Sequence, residues 1–195
     1  MPFLPSDRSK PEIRAIALAA RDALGSALRT GAAEAAAARG LPFAVAAGAV
    51  VAGYAPIRSE FDPMPLLRRL ADAGARLALP VIMGREQPLQ FRSFAIGETL
   101  APGPLGILQP PAASAELTPD ILLGPLAAFD RSGHRIGYGA GYYDRSIETL
   151  RSRNRTIAVG LAFAVQEIDA IPALPHDAAL DYVLTEARTF DFRSK

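Results

Sequence analysis

The segment 121–161, ILLGPLAAFDRSGHRIGYGAGYYDRSIETLRSRNRTIAVGL, decides the fold. Its apolar start at 121–123, running on through Pro125 toward Phe129, reads as a buried strand. Tyr143, Ile147 and Leu150 fall on one face of a helix, and 156–161 returns as a second strand. A strand, a crossover helix and a strand imply parallel pairing. Between the first strand and the helix lies a loop with glycine at every second position, Gly137, Gly139 and Gly141.

The same alternation extends outward in both directions. Residues 50–54 form a short apolar run ending at Pro56, and 63–73 read as a helix with Leu66, Leu67 and Leu70 facing inward. Residues 76–79 make a strand that Pro80 is expected to end, and 89–94 and 182–185 supply further strands. Upstream, Ser9 and Glu12 form a capping box, with Pro11 tolerated in the first turn. Ile13, Ile16, Ala20, Leu24 and Leu28 then recur at helical spacing, and the alanine-rich 32–39 form a second helical piece. Residues 97–119 are rich in Pro, Gly and Ala and read as a long ordered loop, a kind more often functional than idle. The expectation is an α/β fold, one domain over 1–195 with a mostly parallel sheet covered on both sides.

Composition removes several function classes. A formal charge of +1 over 195 residues gives no basis for a nucleic-acid or membrane partner, so an anion site must be local. The absence of cysteine excludes disulfides, thiolate ligands and a cysteine nucleophile. With two histidines, His134 and His176, both in loops, a structural zinc site or a conventional triad is not expected. The apolar stretch 44–55 is shorter than the roughly 20 residues of a membrane helix. A cytoplasmic protein is expected.

Chemistry concentrates in RIGYGAGYYDR. Glycines at these positions permit positive φ and close approach of ligand oxygens, and successive N–H groups can converge on an anion at a helix N-terminus. By themselves three alternate glycines suit a tight turn equally well. The loop is neither a Walker sequence nor a GxGxxG fingerprint. Asp144 adds information, because an acid beside a polyphosphate repels it unless a divalent cation lies between. An acid in the first turn of a helix is favourable for its own sake too. Lys10 and Arg14, four apart, project from one side of a helix.

The segment GPLAAFDRSGHRIGYGAGYYDR, 124–145, resembles the signature of the 5-formyltetrahydrofolate cyclo-ligases, also called methenyltetrahydrofolate synthetases. Three further matches follow the family order: Lys10-x-x-x-Arg14, Tyr54-x-Pro-x-x-x-Glu60, and GLAFAVQ before PHDAALDYVLTE. The resemblance spans nearly the whole chain and implies a three-layer α/β/α sandwich of the NagB/RpiA/CoA-transferase type. It implies an ATP- and Mg²⁺-dependent enzyme acting on a reduced folate, expected to be a monomer. Lys10, Arg14, Arg135, Ile136, Gly137, Tyr138, Gly139, Ala140, Gly141, Tyr142 and Tyr143 would bind ATP. Asp144 and Asp177 would hold magnesium, and Ala55, Glu60, Tyr138 and Tyr142 would contact the folate. Arg135, Tyr142 and Asp144 are the catalytic candidates. Tyr54 and Phe91 read as core residues. Ala140 stands where some relatives carry a basic residue, and Gln109-Pro110 where Glu-Pro is frequent, so Gln109 receives no catalytic role. A different ATP-dependent kinase or ligase, and a silent folate- or nucleotide-binding regulator, are the competing readings.

Overall fold

The computed structural model describes residues 9–172, 174 and 177–193; His176 lies outside them. In chain order the helices are α1 (Lys10–Asp22), α2 (Ser26–Arg39), α3 (Met64–Asp72) and α4 (Tyr142–Arg153). The strands are β1 (Val50–Ala52), β2 (Arg76–Val81), β3 (Gln90–Ser93), β4 (Ala101–Pro102), β5 (Leu108–Gln109), β6 (Ile121–Pro125), β7 (Ala128–Phe129), β8 (Arg135–Ile136), β9 (Ile157–Leu161), β10 (Tyr182–Leu184) and β11 (Thr189–Asp191).

Seven strands form the main sheet in the order β11-β10-β9-β6-β1-β2-β3. The five inner strands pair in parallel, and β3 and β11 close the edges antiparallel. Val51, Leu77, Leu79, Leu123 and Val159 pack on one side with α2 and α3, including Leu66 and Leu67. Val50, Ala52, Leu122, Ala158 and Val183 pack on the other with Ile147 and Leu150 of α4. Successive side chains of a strand point to opposite faces, so the continuous apolar runs seen in the sequence are what a doubly covered parallel sheet requires. Tyr54 and Phe91 are core residues, as expected.

Several local expectations change. Pro80 does not stop β2, which runs three residues past Ala78, its last residue paired with β1. Gly53 N donates to Ala78 O while Phe94 N donates to Leu77 O, so alternate residues face β1 and β3. The Pro80 nitrogen therefore faces the side on which β1 has already ended, and no ladder bond is lost. The strand at 121 ends at Pro125, and Ala128–Phe129 pairs with β8 in a separate hairpin. The 97–119 segment holds the short β4–β5 hairpin.

Helix α1 buries Ile13, Ala17 and Arg21, not Ile16 and Ala20, and Leu28 is exposed. It packs on the β7–β8 hairpin through Ala127, Ala128 and Ile136. This places Arg14 beside the glycine loop and Lys10 beside Asp177.

Gly160 in β9 is required by packing. A Cβ there would lie 2.6 Å from Leu126 and 2.8 Å from Leu180, both buried. Gly160→Ala is expected to cost about 1–3 kcal/mol of stability, read as a lowered Tm. An unchanged Tm would contradict the packing described.

Candidate functional site

The chain leaves β1 for β2 on one side and later returns to β6 on the other. The connection reverses at the β1/β6 boundary, and ligands of open parallel sheets bind outside the carboxyl ends of the strands at such a point. Two loops rise there: 53–60 after β1, and 126–141 after β6.

The first loop ends in a tight turn. Glu60 N donates to Ile57 O (3.0 Å), and Ile57 N donates back to Glu60 Oε2 (2.9 Å). Arg58 takes φ 54 inside it, a left-handed conformation uncommon for a long side chain. Ser59 and Glu60 are buried, and Ala55 is half-buried. Burial raises the Glu60 carboxyl above its ordinary value, while Ile57 N–H, the Tyr138 hydroxyl and the Arg21 charge oppose the shift. Tyr138 and Tyr143 are pushed upward chiefly by burial and then by Glu60, so both phenols stay protonated.

The second loop is built on the hairpin. Buried Asp130 accepts hydrogen bonds from Ser132 N (2.8 Å), His134 N (3.1 Å) and Ile171 N (3.0 Å), and meets His134 Nδ1 at 3.1 Å. These contacts fix the turn that delivers Arg135. Gln166, from the GLAFAVQ match, donates to Leu126 O and Ala127 O, satisfying carbonyls where β6 ends. Asp130 and Gln166 are support residues that motif reading quoted without assigning them a role.

Beyond Ile136 the glycines open the backbone. Gly139 and Gly141 have φ of 96° and 67°, and Gly141 precedes the first residue of α4. Arg14 Nε donates to Gly137 O (2.7 Å), and its guanidinium lies 3.7 Å from where a Gly139 Cβ would stand. Arg145 Nη2 donates to Ala140 O (2.7 Å), and its guanidinium lies over the Tyr142 ring at 5.5 Å. Ile136 points into the core beneath α1, and Tyr143 packs against Gly124 with its phenol in the field of Glu60, Tyr138 and Arg135.

Asp144, in the first turn of α4, meets buried Arg135 at 2.7 Å and accepts from Ala178 N (3.2 Å). Arg135 also donates to Ala178 O. Burial lowers the Arg135 pKa, opposed by Asp144 and then Asp177. Asp177 pairs with Lys10 and accepts from Leu174 N (2.6 Å). Two acids and two cations thus meet around the 177–178 backbone, joining the N-terminal helix, the hairpin and the C-terminal loop. No group of three or more acidic or histidine side chains with metal-ligating arrangement occurs among the described residues. Both aspartates are held by cations, an arrangement the sequence did not announce.

Arg21 is the side chain that sequence reading missed. Only 3% exposed, it donates from Nε to Ser59 Oγ (3.0 Å) and from Nη1 to the Tyr138 hydroxyl. Its only signal in the sequence is the spacing Ile13, Ala17, Arg21.

Fold and geometry define an α/β protein with a topological switch point at which two loops meet. A glycine loop with residues at positive φ lies on one side and the buried Glu60 carboxylate on the other. A model of the 5-formyltetrahydrofolate cyclo-ligase family matches residues 6–186. A 5-formyltetrahydrofolate cyclo-ligase of Mycolicibacterium smegmatis is 38% identical over 192 residues, covering 94% of this chain and 96% of that one. One from Escherichia coli is 31% identical over 147 residues, 73% of this chain and 80% of its own. The NMR structure of Aquifex aeolicus 5,10-methenyltetrahydrofolate synthetase superposes with a TM-score of 0.77 at 28% identity, covering 94% and 93% of the two chains. The chain belongs to the 5-formyltetrahydrofolate cyclo-ligase family, and it is an enzyme of that kind. Among the described residues no helix is long and apolar enough to cross a membrane.

Proposed function

We propose that the protein converts 5-formyltetrahydrofolate and ATP into 5,10-methenyltetrahydrofolate, ADP and phosphate. The observation that carries this reading is the meeting of the Glu60 turn and the glycine loop at one switch point. A carboxylate that can accept two N–H bonds from an aminopyrimidine edge stands there beside a loop suited to phosphates.

An amide-like formyl carbon is a poor electrophile and its oxygen a poor leaving group. In the proposed reaction the formyl oxygen attacks the γ-phosphorus, ADP departs, and an imino-phosphate forms. The folate's 10-nitrogen then bonds to the activated carbon and closes the ring, and expulsion of phosphate together with loss of the N10 proton to solvent gives the methenyl product. No covalent nucleophile from the protein is needed; alignment and charge neutralisation suffice.

Lys10, Arg14 and the N–H groups of 137–141 would hold the triphosphate, with α4 directing its positive end at it. Arg135 would steady Asp144 and add positive charge near the transferred group. Tyr142, at the start of α4, would flank the formyl group, and Ala55, Glu60 and Tyr138 would receive the pterin. Asp144 and Asp177 suit a hard divalent cation such as Mg²⁺, which typically takes one or two carboxylates and completes its shell with water and phosphate oxygens. When bound, that cation neutralises charge on the transferred phosphoryl group. Lys10 and Arg135, which hold the two aspartates, would then be available to the phosphates.

Replacing Lys10 and Arg14 together with methionine removes two charge-assisted contacts to the nucleotide. The expected result is a rise of about tenfold or more in the KM for ATP. The KM for folate should change much less. Equal rises in both would argue against the phosphate role.

A further inference from the structure

Helix α1 buries three residues spaced four apart, and the third, Arg21, is a cation. A guanidinium withdrawn from water is costly unless well paired, and an aliphatic side chain would cover the same surface without that cost. Its partners therefore matter. Ser59, which accepts from Arg21 Nε, donates its own hydroxyl to Asp22, and Asp22 lies 3.6 Å from Nε as the neighbouring counter-charge. Tyr138 accepts from Nη1, and its ring lies under the guanidinium at 5.7 Å.

The two partners come from different loops, Ser59 from 53–60 and Tyr138 from 126–141. Ser59 immediately precedes Glu60 in the turn after β1. Tyr138 sits between Gly137 and Gly139 in the glycine loop, with its hydroxyl at Glu60. We propose that Arg21 is a positioning residue that joins the folate end of the site to its nucleotide end, so that binding of either substrate favours binding of the other. This rests on the cyclo-ligase reading above.

The physical reason lies in the two segments that Arg21 bridges. The glycine loop has two residues at positive φ, and the Ser59–Glu60 turn carries Arg58 in a strained conformation. Each segment loses conformational freedom when a ligand orders it. A triphosphate that fixes the backbone around Tyr138 also fixes the phenol, and through Arg21 the Ser59 hydroxyl and the adjoining Glu60. The second ligand then meets a segment already ordered, which gives positive coupling without a new contact. Such coupling is reciprocal for binding constants. With Nε on Ser59 and Nη1 on Tyr138, Arg21 acts through these residues and not on the substrates.

The test is calorimetric, with 5-formyltetrahydrofolate and a non-hydrolysable ATP analogue as probes. Each is titrated alone and with the other saturating. In the wild-type protein each ligand is expected to tighten the other about tenfold. Ser59→Ala deletes the hydroxyl that accepts from Arg21 Nε and touches neither proposed ligand. It should leave each probe's affinity in the absence of the other within about threefold while reducing the mutual effect to near one. Arg21→Met should do the same. If Arg21→Met melts far below wild type, Ser59→Ala decides. Coupling retained in Ser59→Ala, or absent from the wild type, overturns the inference. A wild-type protein that fails to bind one of the two probes by itself instead overturns the cyclo-ligase reading.

Discussion

Asp144→Asn is expected to lower kcat by roughly 10²–10³ while leaving binding of 5-formyltetrahydrofolate measurable. Asparagine keeps an oxygen able to accept from Arg135 and Ala178 N, the two partners of Asp144 Oδ1. It removes the charge proposed to hold the divalent cation. Alanine is the poorer probe. It would leave the buried Arg135 guanidinium without its carboxylate, which destabilises the fold. Loss of activity in Asp144→Ala would therefore mix unfolding with chemistry. Turnover of Asp144→Asn close to wild type, measured at saturating ATP and magnesium, would sink the proposed metal role.

Glu60→Gln is expected to raise the KM for folate by about tenfold to a hundredfold, the loss of one or two charged hydrogen bonds. The KM for ATP should stay within about threefold. The same substitution should stabilise the protein at neutral pH. Burial raises the Glu60 carboxyl above its value in the unfolded chain. The folded state then holds the proton more tightly, so the stability linked to this group is full below the unfolded pKa and is lost as pH rises through the folded one. Glutamine cannot ionise, so the mutant should melt higher than wild type at about pH 8, with the difference shrinking toward about pH 4. The wild-type KM for folate should rise as pH falls through the raised carboxyl value. A mutant that melts lower at pH 8, with a normal folate KM, would show that Glu60 serves the fold and not the ligand.

The inner layers of this fold are legible because their forces are local and periodic. Leu66, Leu67 and Leu70 mark the face of α3, and the apolar run at 121–125 marks a strand covered on both sides. Alternation of such units implies the parallel sheet. Legibility fails where a long-range partner decides. Pro80 reads as a stop until it is known that β1 has ended beside it. The antiparallel edge β11 pairs locally with β10, but 186–191 carries no run strong enough to mark it. The buried face of α1 is hidden in the sequence because Ala17 is small and Arg21 is charged, so Ile16 and Ala20 look like the apolar stripe.

The site divides the same way. A contiguous motif with glycines, Arg135 and Asp144 announces itself, and the family resemblance draws in Lys10, Arg14, Glu60 and Asp177. Lys10 and Asp177 meet although 167 positions separate them in the chain. Arg21 meets Tyr138 across 117 positions, and no spacing rule connects an arginine at the end of a helix to a tyrosine in a distant loop. The structure also adds what motifs omit: each proposed magnesium ligand is held by a cation, Asp144 by Arg135 and Asp177 by Lys10.

The most direct test of the central claim is formation of the methenyl product by purified protein, followed by its absorbance with 5-formyltetrahydrofolate, ATP and Mg²⁺ present. The account predicts that absorbance grows only when all three are present and that one phosphate appears for each methenyl group formed. Tight binding of both substrates with no product would contradict it and identify a binding protein in place of a cyclo-ligase.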